Sequence, residues 1–331
     1  EGYTELRPGR WQLTAGGKYF TTKNGSSLMA FRIPQEAPAG FLLTASHSDS
    51  PCFRLRDHAE LTGEYIRLSA ERYGGMINDS WLDRPLSVAG RVLVRREGGL
   101  EARLVDLKRD VALIPRVAIH LNRETNNGVK YDPARDLVAL YAAGTGSGSF
   151  YREVARTADC APEDVVAGDL VLYNNQPGTV WGPEGEFVSA PRLDDLACVF
   201  ACTEGFLTAQ ERDMVPVLCV FDNEEIGSET KQGAASVFLP ETLAAISEAL
   251  GLSAQARRQA LAGSLLLSAD NGHAVHPNFP EKADPANKVY PNGGVVIKYS
   301  ANQKYTTTGL TAGLFQAICQ KAGVPVQTFA N

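Results

Sequence analysis

Three short apolar runs, separated by long stretches of chain, each stop at a residue able to bind a metal. GFLLTAS (40–46) delivers His47, VPVLCVF (215–221) runs into Asp222-Asn223-Glu224-Glu225, and SLLLSA (264–269) stops at Asp270. Runs of this length and apolarity suit strands buried on both faces. Helical text is expected from about 194 to 209, from 233 to 261 and from 311 to 322, so strands alternate with helices as in an open α/β sheet. Ligands of such sheets collect at the carboxyl ends of the strands, which makes convergence of these distant residues the expectation.

Between about 54 and 188 the texture changes to short alternating segments, EYIRL, LSVAGRVLVRR, LEARLVDL and PRVAIHL, punctuated by Gly, Asn and Pro. That is the pattern of a mostly-β insert. At 331 residues the chain exceeds the size at which one hydrophobic core stops growing. The expected organisation is a discontinuous α/β domain, 1–53 with 189–331, interrupted by an inserted domain at 54–188. GTGSGS (144–149) fits neither GxGxxG nor a strand-to-helix phosphate loop and reads as a connection. The chain opens at Glu1 and ends just after the strand-like VPVQTF, so both ends read as cut.

With 44% hydrophobic residues, 21% charged residues and a net charge of -6, the chain offers no electrostatic footprint for nucleic acid or an anionic membrane. No apolar run approaches the roughly 20 residues needed to span a bilayer, and the N-terminus has no basic-then-apolar leader. Peptides or small molecules are the expected partners, and the cytoplasm the expected location. The six cysteines are scattered without CxxC or Cys/His spacing and read as reduced core thiols, Cys198 and Cys202 included.

His47 and Asp49 leave the same face of an extended chain, where a carboxylate can fix an imidazole tautomer for metal binding. Glu224 and Glu225 follow a buried strand, and two adjacent carboxylates there require a compensating cation or proton. Asp194, in PRLDDL, could equally complement a helix dipole. One imidazole and several carboxylates at separate strand ends form the inventory of a two-metal site. No GxSxG, HExxH or cysteine-protease signature competes with it.

Five ordered segments, ASHSDSP, PRLDDL, FDNEEIGS, SADNGHAVHPN and VVIKYSANQKYTT, resemble the aspartyl aminopeptidases, peptidase family M18, and the likeness runs from GGKYFTTKNGSSL onward. The resemblance implies a metallo-aminopeptidase-type catalytic domain, with a mixed sheet flanked by helices, and an inserted mostly-β dimerisation domain. It implies a tetrahedral dodecamer built from dimers and two divalent ions, zinc with manganese or cobalt as alternatives. It assigns His47 and Asp270 to one metal, Asp194 to a bridge and Glu225 to the second metal. Glu224 becomes the general base and Asp49 the residue orienting His47. Asp195 stands where the family commonly has Asn and is not counted as a ligand.

His120, in PRVAIHLNRETN, matches the segment that reaches a neighbouring subunit's active site; by itself it would read as a core histidine of an apolar strand. Lys298 matches a lysine near the substrate's acidic side chain. His273 and His276 are not assigned, because the family's second-metal histidine lies in a later Met-His-Ser segment that this sequence does not contain. The expected activity is removal of N-terminal Asp or Glu from peptides. The alternatives are a related two-metal aminopeptidase or deacylase of other specificity, or a non-catalytic oligomeric peptide-binding scaffold.

Overall fold

The computed structural model describes residues 2–144, 146–210 and 213–330. Contacts divide the chain into two compact units, 1–269 and 270–331. The first unit holds two six-stranded sheets. One runs in the order Thr4–Glu5, Lys18–Lys23, Ser27–Arg32, Met214–Phe221, Gly40–His47, Leu265–Ser268. Its last three strands are parallel, with Phe221 in register with His47 and Ser268 with Ala45. The antiparallel Ser27–Arg32 strand makes the sheet mixed.

Helices cover both faces, as the near-continuous apolar strands require. Val217 and Cys219 pack with Phe41 and Leu43 against Phe238, Leu243 and Ile246 of helix Phe238–Ala249. Leu218 and Val220 point the other way, onto Cys202 and Phe206 of helix Leu193–Thr208. The helical text at 233–261 is two helices, Phe238–Ala249 and Ala254–Ala262, because Gly251 takes a positive φ of 68° and Ser253 caps the second by accepting from the Ala256 N–H.

The second sheet is antiparallel and comes from residues 52–174, in the order Gly99–Asp106, Leu86–Arg96, Val165–Asn174, Cys52–Leu61, Tyr65–Tyr73, Ala139–Ala143. One face is the largest core, with Phe53, Leu68, Val88, Val92 and Leu172 closed by Phe150 and Val154 of helix Ser149–Thr157. The opposite face carries Arg54, Arg91 and Asp169. This alternation is why the segment reads as β from sequence.

One expectation fails here, and another holds only in part. PRVAIHL is no strand: after Ile114 the chain turns, with the Leu121 N–H on the Ala118 carbonyl, and Val117, Ile119 and Leu121 are exposed. Arg116 anchors that loop to Asp79 and Asp83, at 3.1 and 3.3 Å, in place of a strand neighbour. His120 is therefore exposed and not a core histidine. The 144–149 segment does join a strand to a helix, although Thr145 lies outside the described residues. The Gly148 N–H there donates to the Glu60 carboxylate at 2.7 Å, so the group a phosphate would need is already held by an acid.

The second unit contains a parallel pair, Val295–Tyr299 with Val326–Ala330, and helix Gly309–Ala322. VPVQTF thus supplies a strand, as its composition predicts. Thr308 and Thr311 close the helix start as a reciprocal capping box.

Candidate metal centre and its cleft

The parallel register brings the three strand ends together, with Phe221 opposite His47 and Ser268 opposite Ala45. His47 is the last residue of its strand, 5% exposed, and Phe221 lies opposite it. The chain leaving Phe221 passes directly into Asp222–Glu225. At Asn223 the backbone enters the left-handed region, φ 67°, which turns Glu224 and Glu225 back over the strand ends. Asp194 and Asp195 come from the entry to helix Leu193–Thr208. Neither has helical φ/ψ, so the regular part of the helix begins after them, and the peptide bond joining them is cis.

His47, Asp194 and Asp195 each offer a ligand atom within 4.8 Å of the others. His47 Nε2 lies 3.5 Å from Asp194 Oδ1, about the edge of a tetrahedron whose ligands sit roughly 2.1 Å from zinc. The donor set of one imidazole nitrogen and two carboxylates also suits zinc chemically, so these residues fit the ion. Asp195 is fully buried, and its Oδ2 accepts the His47 backbone N–H at 3.1 Å. It belongs to the metal-capable group although the family pattern set it aside.

Asp49 stands behind His47, its Oδ1 3.3 Å from Nδ1, leaving Nε2 for a metal. The carboxylate is fully committed. It accepts the Tyr73 hydroxyl at 2.8 Å and the backbone N–H groups of Glu224 and Glu225 at 3.1 and 3.2 Å. Tyr73 in turn accepts from Asn223 Nδ2 at 2.6 Å, and Asn223 Oδ1 accepts from Thr230 at 2.7 Å. The second sheet therefore reaches the strand ends through Tyr73, a residue the sequence reading did not single out.

The electrostatics show surplus negative charge. Burial would lower the His47 pKa, yet the hydrogen bond to Asp49 and the nearby carboxylates of Asp195, Asp49 and Glu224 outweigh it and raise the pKa to about 9. Burial, with Asp194 and Glu224 close by, pushes Glu225 up to about 7. Burial also opposes charge on Asp49, but its four hydrogen-bonded neighbours hold its pKa below the usual range. A cation is the natural neutralising partner of such a cluster.

Asp270 begins the second unit, where its Oδ2 lies 3.1 Å from Lys298 Nζ; the same ammonium donates to the Asn271 carbonyl at 2.7 Å and lies 5.4 Å from the Tyr305 ring centroid. His120 is in the exposed loop already described.

Gly74 sits directly beneath Glu225. Its φ is 77°, and a Cβ there would stand 3.0 Å from Glu225 Cβ. Gly74→Ala is expected to lower stability by about 1–2 kcal/mol from the left-handed backbone alone and to reduce turnover by displacing Glu225. Thermal unfolding together with kcat checks both effects.

A cleft of about 1190 Å³ opens beside the cluster, with Asp49, Asp194 and Asp222 on its wall and the polar face of the second sheet opposite. Among the described residues no helix is long and apolar enough to cross a membrane.

The family model described as "Aminopeptidase I zinc metalloprotease (M18)" matches residues 1–331. The probable M18 family aminopeptidase 2 of Clostridium acetobutylicum is 40% identical over 343 aligned residues, which cover 100% of this chain and 79% of that protein. Among solved structures, the cryo-EM structure of the Ape4 and Nbr1 complex superposes with a TM-score of 0.94 at 33% identity, covering 99% of this chain and 69% of that one. The S. cerevisiae mApe1 dodecamer does so with a TM-score of 0.85 at 29% identity, covering 99% and 77%. With the fold, the zinc-compatible donor set and these likenesses in agreement, the chain belongs to the M18 aminopeptidase family and is a metallo-aminopeptidase, a hydrolase.

Proposed function

We propose that this aminopeptidase works with two divalent ions and prefers substrates beginning with Asp or Glu. The observation that supports the reading best is the set His47, Asp194 and Asp195, gathered at the carboxyl ends of parallel strands with Asp49 locked behind His47. When bound, zinc supplies Lewis acidity and lowers the pKa of water toward neutrality.

In this reading His47 and Asp194 would hold one ion, and Asp194 and Glu225 would hold the other. Asp195 joins this set on the basis of its position, and Asp270 on the basis of its motif. Asp49 holds the His47 tautomer. Glu224, half-exposed with Oε2 3.9 Å from His47 Nε2, takes a proton from the attacking water and returns it to the leaving amine. The acidic wall of the cleft holds the substrate's free ammonium group, which restricts cleavage to the terminal residue. Lys298 pairs with the acidic side chain, a role in which it exchanges its Asp270 partner for substrate.

The mApe1 neighbour is a dodecamer. Together with the exposed Val117, Ile119 and Leu121 beside His120, this supports a homo-oligomer, a tetrahedral dodecamer built from dimers. In that assembly the 54–188 region pairs subunits and His120 touches substrate in the neighbouring site. A cytoplasmic location goes with this reading.

Elemental analysis combined with hydrolysis of Asp-, Glu- and Leu-anilides tests the reading. The expected result is two metals per chain and faster release from Asp and Glu. A single metal would overturn the two-ion mechanism, and faster release from Leu the acidic preference. A metal-free protein inactive on all three would favour the binding scaffold.

A further inference from the structure

The cleft holds more than the one residue that the reaction releases. Its volume of about 1190 Å³ exceeds the roughly 300–1,000 Å³ of ordinary small-molecule pockets, so it has room for further residues of a peptide. Its walls are charged unequally. Asp49, Asp194 and Asp222 face it at the catalytic end. On the polar face of the second sheet, Arg54 and Arg91 share a single carboxylate, Asp169, placed on the strand between theirs; Arg91 is 3.0 Å from it and Arg54 is also hydrogen-bonded to it.

Two guanidiniums on one carboxylate leave a net positive charge and further N–H donors. Lys231 adds to it. Arg91 Nη1 donates to the Asn24 carbonyl at 2.7 Å, and Ser27 Oγ donates to the Gln232 carbonyl at 2.6 Å, so one tight turn joins Arg91 to the Lys231–Gln232 segment. Asp106, also on the cleft wall, accepts the Tyr173 hydroxyl and the Lys108 N–H, neutral donors that leave its charge in place, so Arg54, Arg91 and Lys231 with Asp169 and Asp106 carry one net positive charge.

A free peptide has matching polarity, an ammonium group at one end and a carboxylate at the other. Arg54 follows Asp49 by five residues along the chain, a separation of at most about 18 Å, which an extended peptide covers with about five residues. Resting on the aminopeptidase reading, we propose that Arg54, Arg91 and Lys231 form a subsite for the C-terminal carboxylate of short peptides. The preferred substrates are then free peptides of roughly three to five residues, bound at both termini, and internal segments or blocked C-termini bind less well.

The test uses the metal-loaded full chain with three substrates: an Asp-initiated tetrapeptide acid, its C-terminal amide and an Asp-anilide. The acid is expected to show a KM about tenfold below that of the amide, the effect of one charge-assisted hydrogen bond, with similar kcat, and the gap should narrow as salt is raised. Arg91→Gln and Lys231→Gln should each bring the KM of the acid up toward that of the amide. Equal KM values for acid and amide, with the anilide turned over normally, would overturn this subsite while leaving the aminopeptidase reading intact. Inactivity on all three substrates would overturn both.

Discussion

Glu224→Gln is expected to lower kcat by about 10²–10⁴-fold while leaving the bound metal unchanged, because the substitution removes the proton acceptor and its charge but keeps the shape of the side chain. The geometry separates the two neighbouring glutamates. Glu224 is outside the group His47, Asp194 and Asp195 that gathers within metal-binding distance, and its side chain is 51% exposed. Its backbone is pinned instead, by the bond from its N–H to Asp49 Oδ1 and by the left-handed turn at Asn223. Gln has the same shape and preserves that turn, so folding and metal content are insulated from the change. Metal content by elemental analysis, beside kcat on an Asp-anilide, decides the matter: loss of metal would make Glu224 a ligand and leave the proton transfer to another group. The same variant removes the Glu224 contribution to the raised pKa of Glu225 and leaves those of burial and Asp194 in place.

The parts of this centre that follow from local pattern were legible in the sequence. An apolar run bounded by turn residues implies a buried strand, and a buried strand implies that a polar residue at its end faces a site. That argument reaches His47 and the Glu224–Glu225 pair, and the parallel register of Phe221 with His47 agrees with it. Asp49 was legible for the same reason, being two residues from His47 in extended chain.

The remainder depends on contacts between elements distant in sequence. Tyr73 ends an ordinary alternating strand, RLSAERY, and nothing in that segment indicates that its hydroxyl bonds Asp49, 24 residues away. Asp195 had no local distinction from a helix-start acid, whereas its full burial and its bond to the His47 N–H separate it from one. PRVAIHL alternates like a strand, but among the described residues no strand pairs with it, and the ion pairs from Arg116 hold it as a loop. An alternating pattern states which side chains would share a face if a partner strand existed; it does not supply the partner.

Replacing Asp49 with Asn tests whether that long-range network sets the metal site. As a carboxylate, Asp49 accepts from the Tyr73 hydroxyl and from the Glu224 and Glu225 N–H groups while its Oδ1 faces His47 Nδ1. An amide offers one oxygen and one donor nitrogen. Whichever way it turns, its NH₂ meets at least one of three groups that also donate, so a buried donor loses its acceptor and the turn bearing Glu224 and Glu225 is released. The expected result is zinc affinity weakened by about 10–100-fold, the usual consequence of removing the partner that orients a ligating histidine, with kcat lowered even when zinc is saturating, because Glu224 also loses its anchor. Zinc competition against a chelator measures the first effect and saturation kinetics the second. Tyr73→Phe removes only one of the three donors and should give a smaller change of the same kind. Unchanged zinc affinity in Asp49→Asn would show that the buried strand end and Asp195 alone fix the orientation of His47, and that the link from the second sheet through Tyr73 is structural.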